Sequence, residues 1–244
     1  MDDHAVAAEA AAHAGHALLA IREQGGAAGD RHANQVLLDH LHRLRPDDAV
    51  LSEESPDDHI RLDRRRVWII DPLDGTREYG ESPRTDWAVH VALAVDHLPV
   101  AGAVALPGSG LVLHTGAPPT VPPRPDGRLR LALSRSRPSE LVERVVTVLS
   151  AIAVPMGSAG AKAMAVVRGD ADAYLHSGGQ YEWDSCAPVA VAAAAGLHVS
   201  RLDGAALRYN QPDPYLPDLL ICRPEFAETI LDAVRADSVR ISSR

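Results

Sequence analysis

Val67-Trp-Ile-Ile-Asp-Pro-Leu-Asp-Gly-Thr-Arg-Glu-Tyr79 is the stretch on which the reading of this chain turns. Its apolar opening, Val67–Ile70, has the composition of a buried strand, and it delivers Asp71 directly at its end. Pro72 fixes its own φ and turns Asp71 away from helical conformation. Asp74 follows three residues later, then Gly75 and Thr76. Two carboxylates on a tight turn after a rigid strand can converge on hard divalent cations. If Gly75-Thr76 opens a helix, its free N–H groups make a seat for a phosphate. Asp-Pro and Asp-Gly are also ordinary turn dipeptides, and Asp74-Gly75 alone would be read that way. A turn does not account for a second acidic pair, Glu53-Glu54, placed after another short apolar run, Ala49-Val50-Leu51.

Outward from this segment the chain reads as mixed α and β. Residues 4–23 are Ala- and Leu-rich and predict a helix ending before Gln24-Gly25-Gly26. A second helix is expected from about Asp30, with Ala33, Leu37, Leu38, Leu41 and Leu44 on one face and Pro46 as its stop. Trp87–Val95 and Val100–Leu106 predict a hairpin turning at Asp96-His97. The proline-dense Gly116–Gly127 predicts a junction between an α+β half (residues 1–120) and an α/β half (residues 128–244). In the second half, strands are expected at Leu129–Leu133, Ala173–His176 and Leu219–Cys222. Helices are expected at Ser139–Leu149, Ala159–Arg168, Ser185–Ala195 and Glu225–Val234.

The 244 residues are 46% hydrophobic and 23% charged, an ordinary globular composition that argues against disorder and coiled coil. A formal charge of −9 argues against a general electrostatic grip on nucleic acid or on an anionic membrane, although metal ions can still bring in a phosphorylated ligand. Cys186 and Cys222 form neither a disulfide framework nor a zinc site; both are expected free and buried, as in a reducing cytoplasm. The N-terminus begins acidic and lacks the basic start of a signal peptide, and the weakly polar run Cys186–Leu197 is too short to span a bilayer. A cytoplasmic protein is the expectation.

Three motifs, Leu-Ser-Glu-Glu-Ser (51–55), Trp-Ile-Ile-Asp-Pro-Leu-Asp-Gly-Thr (68–76) and Trp-Asp-Ser-Cys-Ala-Pro (183–188), resemble in order and spacing the inositol monophosphatase superfamily of magnesium-dependent, lithium-sensitive phosphatases. The continuation Arg77-Glu78-Tyr79 resembles the CysQ-type branch, which acts on 3′-phosphoadenosine 5′-phosphate, as do Gly29–Asn34 and Ala173–Pro188. The resemblance implies a layered αβαβα sugar-phosphatase fold with two or three Mg²⁺ ions between the halves. By it, Glu53, Asp71, the Leu73 carbonyl, Asp74 and Asp184 match metal ligands. Asp30 and Thr76 match the pair that orients the attacking water, and Gly75 and Thr76 the phosphate cradle. The resemblance also implies that Glu53, Leu73, Asp74, Arg77, Gly157, Ser158 and Asp184 border the substrate. All-oxygen ligation suits Mg²⁺ and not zinc. Phosphate monoesters hydrolyse so slowly unaided that metal-assisted hydrolysis is the expected strategy.

Several residues carry a plainer reading beside this one. Asp30 and Asp184 each read as helix caps, and Gly157-Ser158-Ala159-Gly160 as a Gly-rich helix start. Lys162, the lone lysine, is expected as a solvated helix residue, with contact to a second phosphate as the alternative. Ser134 and Arg135 are candidates for the nucleotide side. The twelve histidines are scattered, and no pair of them is taken as a ligand pair. The acidic residue that selects inositol hydroxyls in the superfamily has no counterpart in Ser177-Gly178-Gly179-Gln180, and Glu182 is offset.

The expected reaction is therefore removal of the 3′-phosphate of a nucleotide bisphosphate, with an inositol or fructose bisphosphate phosphatase as the alternative on the same site. A homodimer is one assembly the resemblance allows. A catalytically silent nucleotide sensor is the non-enzyme alternative. The haloacid dehalogenase fold also carries an Asp-Gly-Thr turn, but its nucleophilic aspartate lies two residues before the second, against three here.

Overall fold

The computed structural model describes residues 1–57 and 59–242, the last six of these by backbone only. Two five-stranded sheets alternate with three layers of helices. In the first sheet, β1 (Ala49–Ser52), β2 (Arg66–Asp74), β3 (Ala88–Val95), β4 (Leu98–Leu106) and β5 (Leu111–His114) lie in chain order. Only β1 and β2 are parallel. The second sheet has β6 (Arg130–Ser134), β7 (Ile152–Met156), β8 (Ala173–Tyr181), β9 (His198–Ser200) and β10 (Tyr215–Cys222) in the order β7-β6-β8-β10-β9. Here β6 runs parallel to both its neighbours, while β10 is antiparallel to β8 and β9.

Helices α1 (Asp3–Ala20) and α2 (Gly26–Leu44) cover one face of the first sheet, burying Val6, Leu18, Leu37 and Leu41 against Trp68, Ile70 and Leu93. On its other face lie α5 (Ala159–Val167) and α6 (Glu182–Ala194), packed also against the second sheet through Tyr174, Leu219 and Ile221. The far face of the second sheet is closed by α4 (Glu140–Val148) and α7 (Ala227–Ser242) around Leu220 and Ile230. The short α3 (Thr76–Gly80) caps the end of β2. This is the αβαβα layering expected.

β3 is buried at all but its last residue, because both of its faces are covered by helices. α2 begins four residues before the expected start: Gly25, at φ 85°, ends the preceding turn, and Asp30 lies inside the helix instead of capping it. The edge strands β7 and β9, with β5, were not anticipated. β7 is largely exposed and β9 is three residues long, so neither shows the period-2 burial that marks a strand in sequence.

The largest departure is at the decisive segment. β2 does not end at Ile70 but continues through Asp71-Pro-Leu-Asp74, with an irregularity in its register. Asp71 pairs with His90 and Asp74 with Ala88, so three steps along β2 match two along β3. That is one extra residue, a bulge, at the proline that cannot join the ladder. In a regular strand residues three apart face opposite sides. The bulge cancels that offset and turns both carboxylates, with His90, toward the layer of α5 and α6.

Candidate active site

One ligand oxygen each from Asp71, Asp74 and Asp184 lie within 4.8 Å of one another. Asp71 and Asp74 come from the bulge of β2, and Asp184 from the first turn of α6. Asp71 is buried and its Oδ1 accepts from the Leu73 N–H (3.0 Å). Asp184 also spans its own helix start, its Oδ2 accepting the Tyr181 N–H at 2.7 Å, so its sequence reading as a helix cap is met as well.

Asp74 is held by three donors from two elements. Its Oδ2 accepts from the Ser158 hydroxyl (2.5 Å) and the Gly160 N–H (2.7 Å) at the start of α5, and faces His90 Nε2 at 3.2 Å. His90 is fully buried, and its Nδ1 lies 3.0 Å from the Trp183 carbonyl. With oxygens facing both ring nitrogens, the imidazole pKa is raised: burial would lower it, but the Asp74 carboxylate and the Trp183 carbonyl outweigh that. A side chain at Gly160 would put its Cβ 2.1 Å from His90 Nε2, so the glycine makes room for the ring. His90 is the residue that sequence reading missed. A single histidine inside the apolar run Ala88–Val95 was the available signal.

Around the acids, potential is uncompensated. Burial raises the Asp71 carboxyl well above its usual value, and Glu53, Asp74 and Asp184 push it further. Asp184 is raised to about 7 by burial and by Asp74. Asp74 alone is lowered, because His90, Lys162 and Ser158 outweigh its burial. Glu53 follows β1 at the solvent edge, outside the tight triangle of aspartates. Its carboxyl is raised to about 7 by desolvation, then by Asp74 and Asp30. Asp30, buried on α2, is raised to about 7 by desolvation and by Glu54, with Thr76 and Arg31 acting the other way.

Thr76 is exposed at the start of α3, and its hydroxyl donates to the Leu73 carbonyl (3.2 Å). Gly75 before it is left-handed at φ 88°, and a Cβ there would lie 3.1 Å from the Ser158 Cβ. The Gly157-Ser158 loop, expected to border the substrate, therefore abuts the Gly75-Thr76 turn. Gly157 donates its N–H to Asp86 (2.7 Å), and Ser158 caps α5 by accepting the Ala161 N–H. Arg77 is exposed on α3.

Two expectations are corrected, for Lys162 and Asp71, and Arg135 and Glu182 are found with partners of their own. Lys162 is buried, not solvated: its Nζ donates to the Gly157 (3.1 Å) and Ser158 (2.7 Å) carbonyls and lies 5.3 Å from the Tyr174 ring centroid. Arg135 is engaged by Glu78 and Glu81, both at 2.7 Å. Glu182 is buried and accepts the Asn210 (2.6 Å) and Gln211 (2.8 Å) N–H groups, a structural tie to the loop before β10. Asp71 is part of a strand, not exposed on a loop.

A model of the inositol monophosphatase family matches residues 23–238. The chain belongs to the inositol monophosphatase family. Among relatives within it, a 3′-phosphoadenosine 5′-phosphate phosphatase of Mycobacterium leprae is 49% identical over 262 residues, covering 96% of this chain and 94% of the relative. One from Mycobacterium tuberculosis is 54% identical over 226 residues, covering 88% and 83%. The structure of CysQ from Bacteroides thetaiotaomicron, 24% identical, superposes with a TM-score of 0.78 over 91% of this chain and 97% of that one. The family is one of metal-dependent phosphatases, and the cluster of Asp71, Asp74 and Asp184 can hold a metal ion. Among the described residues no helix is long and apolar enough to cross a membrane.

Proposed function

We propose that this chain is a Mg²⁺-dependent phosphatase that removes the 3′-phosphate of 3′-phosphoadenosine 5′-phosphate, giving AMP and inorganic phosphate. The carrying observation is the cluster of Asp71, Asp74 and Asp184, whose ligand oxygens lie within 4.8 Å of one another, with His90 and Lys162 as cationic support at Asp74. The mycobacterial relatives, at about half identity over nearly the whole chain, support the choice of nucleotide.

The donor set fits Mg²⁺: every candidate ligand is an oxygen, from Glu53, Asp71, the Leu73 carbonyl, Asp74 and Asp184. Asp74 commits Oδ2 to protein donors, which leaves Oδ1 for a cation. The bound metals would supply Lewis-acid polarisation of the phosphoryl oxygens and acidify water. Asp30 and Thr76 would orient that water. A carboxyl with a pKa of about 7 is matched to taking its proton near neutrality. The water oxygen ends on phosphorus, the P–O3′ bond breaks, and the leaving oxygen gains a proton. The Gly75 and Thr76 backbone N–H groups cradle the phosphate, with Arg77 beside them at the surface. The halves before and after the proline segment divide this work, the first providing Asp30 to Thr76 and the second Asp184 and the Gly157-Ser158 loop.

Phosphate release from 3′-phosphoadenosine 5′-phosphate, inositol 1-phosphate, fructose 1,6-bisphosphate and AMP tests this, with and without Mg²⁺ and with added Li⁺. Mg²⁺-dependent preference for the nucleotide bisphosphate is expected. Preference for a sugar or inositol phosphate would overturn the substrate, and full activity in Asp74→Asn would overturn the site.

A further inference from the structure

The chain carries nine aromatic side chains: three Trp, five Tyr and one Phe. Trp68, Tyr79, Trp87, Tyr174 and Tyr209 are fully buried in the core. Tyr181, Trp183 and Tyr215 instead form a separate group at the entry to α6. The Tyr181 and Trp183 rings stack at 4.8 Å and 11°, and Tyr215 meets Tyr181 edge-on at 5.8 Å. Despite these contacts Tyr181 is 42% and Tyr215 44% exposed. A third of the aromatic side chains thus gathers at one surface site of an aromatic-poor protein.

That group is fastened to the acidic cluster. The Tyr181 N–H donates to Asp184 Oδ2, and the Trp183 carbonyl is bonded by His90, which also holds Asp74. Tyr181 and Tyr215 are cross-strand partners on β8 and β10, and the Tyr215 hydroxyl accepts the Gly179 N–H. The rings are therefore fixed in orientation before any ligand arrives, and their ordering costs little on binding.

We infer that Tyr181, backed by Trp183 and flanked by Tyr215, is a stacking platform for the aromatic base of the substrate nucleotide. The inference rests on the proposed substrate and deepens it, naming where the base sits. A flat, half-exposed ring beside a phosphate-binding centre suits a base, because every base offers a π-face whatever its edge. An inositol or fructose ring has none, so the platform favours nucleotides over sugar phosphates at the same metal centre.

The test uses the full chain with Mg²⁺ and the two expected products as competitive ligands, AMP carrying a base and inorganic phosphate carrying none. Tyr181→Ala is expected to raise the ratio of the inhibition constant of AMP to that of phosphate about ten-fold. For 3′-phosphoadenosine 5′-phosphate the loss should fall on KM more than on kcat. Tyr181→Phe, which keeps the ring, should restore both. An unchanged ratio in Tyr181→Ala overturns the platform. So does a shift in oligomeric state on gel filtration with no change in the ratio, since the rings would then be a contact between copies. A wild-type chain that does not hydrolyse the nucleotide bisphosphate overturns the substrate assignment itself, which separates the two failures.

Discussion

Two of the places where this molecule buries carboxylates are built in opposite ways. Asp172, at the start of β8, is wholly buried and carries three guanidiniums of its own. Arg130 pairs with it at 2.8 Å, Arg124 and Arg223 lie at 3.4 Å, and the Arg130 N–H donates to its Oδ2. Burial would raise its pKa, yet the Arg130 contacts bring it below the ordinary value. Asp71, equally buried, faces Glu53, Asp74 and Asp184, and is pushed far up. The first arrangement is complete as folded. The second concentrates negative charge, with His90 and Lys162 as its cationic support at Asp74, so its complement is an external cation.

The most damaging way to probe this contrast is at the self-sufficient site. Asp172→Asn leaves three arginines sharing a neutral amide, and urea denaturation should show a loss of about 3 kcal/mol, the lower end for breaking a buried pair, since the guanidiniums are partly solvated. Turnover of the folded fraction should stay near wild type.

Asp71→Asn should do the reverse. Asparagine keeps the Oδ1 that accepts the Leu73 N–H, and it removes charge from the most repulsive position. Metal-dependent turnover should fall by more than ~100-fold, beyond what outer partners of metal ligands typically cost. The metal-free protein should meanwhile become more stable by about 1 kcal/mol at pH 8, read as a higher urea midpoint. A variant that lost stability along with activity would place Asp71 in the same class as Asp172.

The acidic side of this contrast was legible in part from the sequence, and the Asp172 site was not read there. The order of Glu53, Asp71, Asp74 and Asp184 along the chain could be read because each follows or opens a recognisable element. That Asp71 and Asp74 share a face could not, since strand periodicity places residues three apart on opposite sides and only the bulge at Pro72 reverses it. Lys162 was read as solvated because helix lysines are so by habit. Its burial depends on the carbonyls of Gly157 and Ser158, which chain order does not display. The strands β7 and β9 escaped because edge strands carry little of the burial that makes a strand visible.

His90 sharpens the comparison from within the acidic site. It joins Asp74 on β2 to the Trp183 carbonyl beside Asp184 on α6, and so fixes the spacing of two candidate ligands from different layers. His90→Gln keeps a donor for one acceptor but not both. The Mg²⁺ concentration for half-maximal turnover should rise 10- to 100-fold, the usual range for such partners. The melting-temperature increase produced by Mn²⁺ should shrink in parallel. Unchanged metal dependence would reduce His90 to packing.

The smallest effect separates the two sites by pH alone. Asp184 has a folded pKa of about 7 against an unfolded value near 3.8, so between these the folded state holds more protons than the unfolded one. Stability of the metal-free chain therefore falls as pH rises from about 4 through 7, since the slope of unfolding free energy follows protons bound unfolded minus folded. Asp172 contributes with the opposite sign: its lowered pKa gives stability that is present above about pH 4 and lost only on acidification below it. Added Mg²⁺ competes with protons at the first site and has no purchase on the second. The gain in melting temperature on adding Mg²⁺ should accordingly be a few degrees larger at pH 8 than at pH 5.5. In Asp172→Asn that pH dependence of the Mg²⁺ effect should persist, and in Asp71→Asn it should shrink, because only the latter relieves the charge that the metal is there to balance.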